Sequence, residues 1–323
     1  MQELRAEMKT YYDAVQHGCI SENAAYVNRR DAIFAAMDAY EAAHPDIHPY
    51  LLKARLHEEI ARQFEPVIFR HSPFFFEMGV RPAESWGTPN QWSAASWMLL
   101  RRNPRVHETE EMRRINHYKT GTENSPIKLW ILNDVFDYDH HCLDYTKLLK
   151  VGINGILAEI AAEQSDSNGT EKAALLEASG RGCRALLTIA ERFAERARAM
   201  LATETDPHVR QNLERIAEAA DHVPANPPRT FYEGLAMLWF LREATASLEG
   251  IGISVIGHLD RVLINLYRAD LGAGRLTEAE ARDLLARWML PTDVKFHVED
   301  SSWPETSTCM ELGGCDAEGK QVY

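Results

Sequence analysis

The stretch VPANPPRTFYEGLAMLWF, Val223 to Phe240, joins a proline-rich linker to an almost wholly apolar segment. Each of its three prolines lacks a backbone N–H, so VPANPP cannot be helical. Thr230 and Glu233 then stand three residues apart, the spacing of a capping box in which each side chain accepts a hydrogen bond at the helix start. The stretch therefore predicts an irregular linker followed by an N-capped helix, with GLAMLWFL as the body of that helix.

Helical spacing of apolar residues also dominates the rest of the chain. Asp144 is a predicted N-cap, and Asp206 with Pro207 supplies an N-cap and a first helical residue. TEAE, Thr277 to Glu280, is a second capping box, and its helix is expected to end near Trp288. The other predicted helical segments are the first sixty-odd residues, broken near His17-Gly18 and His44-Pro45 with Ser21 as an N-cap, and a long helix around RALLTIAERFAERARAMLA.

Three short segments have the composition of strands: residues 127–136, 293–298 and TCMEL at 308–312. The loop that begins HSPFFFEMG carries three consecutive phenylalanines, Phe74 to Phe76, which cannot all face one side of a helix or strand. We interpret it as a buried loop that packs into the core. The predicted fold class is α/β and mainly helical, with a few short strands and no internal repeat.

Composition limits the function classes. The 323 residues carry a net charge of -13, which argues against nucleic acid as a partner. No apolar run approaches the roughly 20 residues that span a bilayer, and the charged start MQELRAEMKTYYDAV is not a signal peptide. The five cysteines are odd in number and form no CxxC motif, as expected for reduced thiols. We expect a soluble, acidic, cytoplasmic protein without a membrane partner.

DYDHHCLDYTKLL, beginning at Asp137, concentrates residue types that bind zinc or iron. Its spacing does not suit a local chelate, because His140, His141 and Cys142 are consecutive and adjacent side chains in an extended segment diverge. From the residues alone, a helix start capped by an aspartate is the favoured interpretation. A metal-binding protein that uses this cluster stays an alternative.

Four segments in chain order resemble the glycyl radical enzymes, the pyruvate formate-lyase family. VPANPPRTFYEGLAMLWF and RADLGAGRLTEAEARDLL resemble the family's proline-arginine helix start and its GRLT helix. DHHCLDYTKLLKVGINGILAEI resembles a GHTIPDYEKLLKxGLxGI segment, and TCMELGGCDAEGK resembles an LGGxDxDG turn. The chain is identified by these segments as a member of this family.

The resemblance implies a fold and a chemistry. Members enclose a backbone glycyl radical in a ten-stranded barrel with surrounding helices, and a cysteine on a central loop becomes the thiyl radical that attacks a small-molecule substrate. An activating enzyme that uses S-adenosylmethionine installs the radical. The implied activity is that of a lyase or dehydratase that cleaves a C–C or C–X bond in anaerobic metabolism, related to formate C-acetyltransferase.

No GCxE-type cysteine motif and no RVxGY-type glycyl motif occurs in the 323 residues. Cys315 lies in the LGG turn and Cys142 follows a histidine, so both are interpreted as structural residues. We expect residues 1–323 to be the N-terminal portion of a pyruvate formate-lyase-like domain, half of the barrel, with no catalytic residue of its own. Such a chain is expected to be inactive alone, to need a C-terminal half, and to leave strand edges and apolar helix faces such as GLAMLWFL under-covered.

The resemblance places three residues at a substrate cavity. His141 falls on the family's GHT histidine, Asp139 is positioned to set its tautomer, and Ser254 matches a serine before a GRFDQ-like turn. The family arginine of that turn is His258 here, which weakens any ion pair with Asp260. A histidine held by backbone groups at a helix start stays an alternative for His141. A non-catalytic, helical partner-binding module stays an alternative for the whole chain.

Overall fold

A computed structural model describes residues 1–14, 24–78, 141–164, 171–249, 254–294, 310–314 and 320. Within these residues helices predominate, as the sequence predicts. The helices are α1 (Gln2–Ala14), α2 (Ala24–Ala43), α3 (Pro49–Gln63), α4 (Tyr145–Gln164), α5 (Glu171–Leu201), α6 (Pro207–His222), α7 (Phe231–Glu249), α8 (Leu259–Gly272) and α9 (Glu278–Val294). The strands are β1 (His141–Cys142), β2 (Ser254–Val255), β3 (Gly257–His258) and β4 (Met310–Glu311).

β structure is limited, among the described residues, to two parallel pairs of two-residue strands and one isolated bridge between Val67 and Glu77. β1 pairs with β2, and β3 pairs with β4. The TCMEL strand is thus present as β4. The predicted strand at 127–136 and the cap at Ser21 lie outside the described residues, and half of a ten-stranded barrel is not confirmed.

Several predicted helix starts are found as expected. Asp144 Oδ1 accepts a hydrogen bond of 3.0 Å from the backbone N–H of Lys147. Asp206 Oδ1 accepts one of 2.8 Å from His208 N, with Pro207 as the first helical residue. At α9 the capping box is complete, because Thr277 Oγ1 accepts from Glu280 N and Glu280 Oε2 accepts from Thr277 N. Local side-chain spacing was therefore a reliable guide to these starts.

The capping box predicted for α7 is only half present. Thr230 Oγ1 accepts from Glu233 N at 3.1 Å, but the Glu233 carboxylate turns to Arg229, accepting from its backbone N at 2.6 Å and from its Nε at 2.9 Å. The donor that begins the helix, Phe231 N, instead bonds to Asp270 Oδ2 at 2.8 Å. A residue of α8 thereby caps α7 from a distant part of the chain.

α9 is longer than predicted. The helix was predicted to end near Trp288, with a strand from Asp293. Instead, α9 continues through Pro291 to Val294. Trp288 is fully buried, and its indole Nε1 donates to Leu235 O of α7 at 2.9 Å. Burial of a tryptophan stabilises the docked helix enough to outweigh the proline. The rest of the predicted 293–298 strand lies outside the described residues.

The core centres on α7. Every residue from Leu235 to Phe240 is fully buried, so the expectation of an under-covered GLAMLWFL is wrong. The three loop phenylalanines are buried, as predicted, and their rings cover this helix. The ring centres of Phe75 and Phe240 are 5.6 Å apart, and those of Phe76 and Trp239 are 5.3 Å apart. Each such ring contributes roughly 1.5–3 kcal/mol of burial free energy.

α4 contains a sharp break at Gly152, where the backbone has φ 65°. A Cβ at this position would lie 2.5 Å from Ala225 O, in the proline-rich linker. The break turns two freed N–H groups towards that linker, so Ile153 N donates to Pro224 O at 2.8 Å and Asn154 N donates to Ala225 O at 2.9 Å. Two segments that are far apart in the sequence are thereby joined through backbone groups.

Candidate functional site

His141 and Ser254, two of the three residues predicted to bind substrate, are neighbours in the structure. They are register partners in the parallel pair formed by β1 and β2, and Cys142 is likewise paired with Val255. Adjacent strands lie about 4.8 Å apart, so the two backbones are within reach of one small ligand. Asp139, the third predicted residue, lies outside the described residues, as does His140.

The segment Ser254–His258 connects this pair to the second one. Ile256, which separates β2 from β3, is buried at 1% exposure. β3 then pairs with β4 in parallel, with Gly257 opposite Met310 and His258 opposite Glu311. Four of five consecutive residues thus pair with two chain segments that are widely separated in the sequence.

Asp260 and Arg261, in the first turn of α8, hold the turn that follows β4. Asp260 Oδ2 accepts from Gly313 N at 2.6 Å, and Arg261 Nη2 donates to Gly313 O at 3.0 Å. Gly314 has φ 90°, and a Cβ there would lie 2.8 Å from Arg261 Nη2. The LGG turn is therefore fixed by hydrogen bonds between the side chains of Asp260 and Arg261 and the backbone of Gly313. Asp260 has this role in a chain that carries His258 where the family has an arginine.

Sequence reasoning missed a buried polar group on α7, the helix that contacts β2. Arg242 and Glu243 are 0% and 1% exposed and form an ion pair, and the Arg242 guanidinium lies 5.1 Å from the centre of the Trp239 ring. Ser247 is equally buried, and its hydroxyl has no hydrogen-bond partner among the described residues. The signal in the sequence was the adjacent pair Arg242 and Glu243 inside an apolar helix. Charged side chains are rarely buried unless they are paired, so this pattern indicates a buried ion pair.

The described residues offer little for metal binding or for thiol chemistry. They contain no group of three or more His, Cys, Asp or Glu side chains placed to hold a metal ion, although most of DYDHHC lies outside them. Burial raises the pKa of the Cys183 thiol more than the nearby Arg184 lowers it, so this thiol is protonated at neutral pH and is a poor nucleophile.

The described helices include none that is long and apolar enough to cross a membrane.

The residue types at the paired positions 141 and 254 are suited to hydrogen bonding. An imidazole donates or accepts near neutral pH, and a hydroxyl does both. A histidine beside a serine therefore suits a small ligand with hydroxyl or acidic groups. The roles of His141, Ser254 and Asp139 as substrate-binding residues stay predictions.

Solved structures share this fold. The crystal structure of hydroxyproline dehydratase from Clostridioides difficile, with trans-4-hydroxy-L-proline bound, superposes with a TM-score of 0.67 at 20% identity over 91% of this chain and 42% of that one. The glycerol-bound B12-independent glycerol dehydratase from Clostridium butyricum gives a TM-score of 0.68 at 17% identity, over 91% and 41%. These likenesses show that the chain shares its fold with the two dehydratases.

Sequence comparison identifies the family. Residues 108–323 match the family described as pyruvate formate lyase-like. The isethionate sulfite-lyase of Nitratidesulfovibrio vulgaris is 38% identical over 197 residues, covering 55% of this chain and 23% of that protein. Trans-4-hydroxy-L-proline dehydratase of Clostridioides difficile is 31% identical over 164 residues, covering 48% and 21%. The chain belongs to the pyruvate formate-lyase-like family of glycyl radical enzymes, and it spans less than a quarter of the length of these two curated relatives.

Proposed function

We propose that residues 1–323 form the N-terminal portion of a pyruvate formate-lyase-like domain and contribute half of its barrel, with the helices outside. The family match supports this proposal, and so do the two parallel strand pairs, because parallel strands joined by helices are the units from which such a barrel is built. We place the protein in the cytoplasm.

The proposed reaction is cleavage of a C–S or C–O bond in a small hydroxylated metabolite. Isethionate and trans-4-hydroxyproline, which the names of the relatives specify, both carry a hydroxyl and an anionic group. The relatives named as decarboxylases, which break a C–C bond, are only 25% and 26% identical over their matched segments. The higher identity of the lyase and dehydratase relatives supports C–X cleavage as the activity.

The pairing of His141 with Ser254 is the observation that carries the proposed site. In the proposal, His141 binds the substrate's hydroxyl or acidic group, Ser254 donates a second hydrogen bond, and Asp139 fixes the imidazole tautomer. These groups orient the substrate, and orientation is a large part of catalysis when the reactive species is a radical held elsewhere.

The radical itself is proposed to reside outside these 323 residues. A thiyl and a glycyl radical require a cysteine loop and a glycine loop, and neither motif occurs in the sequence. The proposal therefore includes a C-terminal portion that supplies both loops and an activating enzyme, dependent on S-adenosylmethionine, that generates the radical.

The test uses a complete glycyl radical enzyme that carries this segment, activated without oxygen. Product release from isethionate and from trans-4-hydroxyproline is measured beside the amount of glycyl radical. Turnover of either compound that falls when His141 is replaced, at an unchanged radical content, supports the proposal. Full turnover without His141 and Ser254 rules out the proposed site.

A further inference from the structure

A cleft of about 540 Å³ opens beside the α7 start, between α6, the end of α8 and the start of α9. Its volume lies within the range of small-molecule sites, roughly 300–1,000 Å³. Its wall includes three arginines, Arg215, Arg229 and Arg275, and an apolar side that contains Leu276 and Leu284. The cleft thus combines strong hydrogen-bond donors with an apolar surface.

Two of the guanidinium groups are held in place by buried carboxylates. Arg229 donates through Nε to Glu233 Oε1 at 2.9 Å, and its Nη2 bonds to the same oxygen. Arg275 donates through Nε and Nη2 to Asp270 Oδ1 at 2.9 and 2.7 Å. Both carboxylates are 4% exposed, whereas both arginine side chains are about half exposed, at 52% and 51%.

This arrangement leaves donors available. Each guanidinium carries five N–H groups in a planar fork, and Glu233 and Asp270 occupy the Nε edge of each. Nη1 of Arg229 and Nη1 of Arg275 have no hydrogen-bond partner among the described residues. The two arginines are therefore oriented before any ligand arrives, which lowers the entropy lost on binding.

Arg215 is the third donor. Its guanidinium lies 5.4 Å from the centre of the Tyr232 ring and makes neither a hydrogen bond nor an ion pair with any residue that the structure describes. Hydrogen bonds to Thr277, and to a smaller extent the charge of Arg215, lower the pKa of Glu280. Glu218 lies 3.8 Å from Arg229 Nη2 and is 78% exposed at the rim.

We propose that this cleft binds the phosphate group of a small organic molecule, with Arg215, Arg229 and Arg275 as the donors and Leu276 and Leu284 against the organic part. Guanidinium groups match the geometry of phosphate oxygens and bind them through charge-assisted hydrogen bonds. An apolar wall next to these donors favours a phosphate ester over free phosphate. The proposal is independent of the proposed lyase activity.

The experiment is titration calorimetry of the chain with phenyl phosphate at constant ionic strength, beside inorganic phosphate and benzoate. Phenyl phosphate is expected to bind most tightly, and Arg215→Gln is expected to weaken it about tenfold or more, because a hydrogen bond to a charged group is lost. Arg282→Gln, an exposed arginine of α9 outside the cleft, is the matched control. Glu218→Gln removes the rim carboxylate and is expected to tighten binding.

The outcomes are distinguishable. Arg215 makes no hydrogen bond that the fold requires, so Arg215→Gln is expected to keep the thermal midpoint of the wild type. An unchanged midpoint shows that the variant is folded. The proposal is overturned if phenyl phosphate does not bind, if Arg215→Gln and Arg282→Gln bind it equally well, or if Glu218→Gln weakens it. Equal affinity for benzoate would overturn the assignment to phosphate, and equal affinity for inorganic phosphate would overturn the role of the apolar wall.

Discussion

Asp270, near the end of α8, caps the first turn of α7 by accepting a hydrogen bond of 2.8 Å from the backbone N–H of Phe231. The same carboxylate holds Arg275 through its other oxygen. The family-like segments PPRTF and RADLGAGRL therefore meet at one side chain.

Replacing Asp270 with alanine is expected to lower the free energy of unfolding by about 1–3 kcal/mol, because Phe231 N is left buried without an acceptor. Urea denaturation followed by circular dichroism measures the change. Asp283→Ala is the matched control: this acid pairs with Arg287 at 2.7 Å and is 53% exposed, so its loss is expected to cost at most about 0.5 kcal/mol. Equal losses in the two variants would contradict the cap.

Gly152→Ala is expected to destabilise the chain by about 1–3 kcal/mol or more, since a side chain at positive φ is strained and its Cβ would collide with Ala225 O. Gly272→Ala is the control, because a Cβ there meets nothing within 4 Å. Differential scanning calorimetry is expected to give a clearly lower thermal midpoint for Gly152→Ala than for Gly272→Ala. A Gly152→Ala protein with the wild-type transition would show that the linker does not pack against the break in α4.

Glu58 on α3 joins α5 through Arg181, whose Nε and Nη2 donate at 2.7 and 2.9 Å. Burial alone would raise the pKa of the Glu58 carboxyl, but Arg181, with Arg62 and Arg55, outweighs burial and holds that pKa below its usual range. The native carboxylate is therefore favoured above the ordinary value of about 4.3, and its stabilisation is lost as the pH falls through the lowered pKa.

Glu58→Gln is accordingly expected to lower stability near neutral pH and to make the loss of stability below about pH 4.3 shallower than in the wild type. Denaturant unfolding measured between pH 7 and pH 3 tests both expectations. Glu163→Gln, which removes an exposed partner of Lys172 (62% exposed), should leave the acid limb almost unchanged because exposed ion pairs contribute little. Parallel pH profiles for wild type and Glu58→Gln would rule out the assigned role.

In a complete enzyme that carries this segment, His141→Ala is expected to reduce turnover by about 10²–10⁴-fold, the usual effect of removing one positioned acid–base group. Thermal stability should change little. His140→Ala is the control, because consecutive side chains in an extended segment diverge, and it should retain near-normal turnover. The opposite ranking, with His141→Ala lowering stability and leaving turnover intact, would favour a histidine held by backbone groups.

The 323-residue chain alone, incubated without oxygen with an activating enzyme and S-adenosylmethionine, is expected to give no glycyl radical signal by electron paramagnetic resonance. The reason is the absence of both radical motifs from the sequence. A full-length glycyl radical enzyme treated identically serves as the positive control. A radical doublet on this chain would disprove the proposal that the radical lies elsewhere.

Much of the fold could be predicted from the sequence because helix caps are local. Asp144, Asp206 and the Thr277–Glu280 box bond within three residues of themselves, so their spacing carries the information. The cap of α7 could not be predicted in the same way, because the Glu233 carboxylate bonds to Arg229 and Phe231 N bonds to Asp270, 39 positions further along the chain. The end of α9 was missed for a related reason: Trp288 docks on α7, and no local pattern records that contact.

The resemblance to the family predicted only part of the site. It selected His141 and Ser254, whose backbones are paired. It gave no reason to single out Arg242 and Glu243, which are buried side by side in α7. It also gave no sign of the arginine cleft, since its three arginines come from different segments and only the tertiary fold brings them together.

The central position of α7 restricts when the protein can acquire its final form during translation. Its indole and phenyl rings contact Phe75, Phe76 and Trp288. Contacts over such sequence separations slow folding, and none of the contacts with Trp288 can form until that residue has left the ribosome. Until α7 has been synthesised, Phe75 and Phe76 lack their partners on that helix, and apolar surface exposed in this way makes a growing chain prone to aggregation.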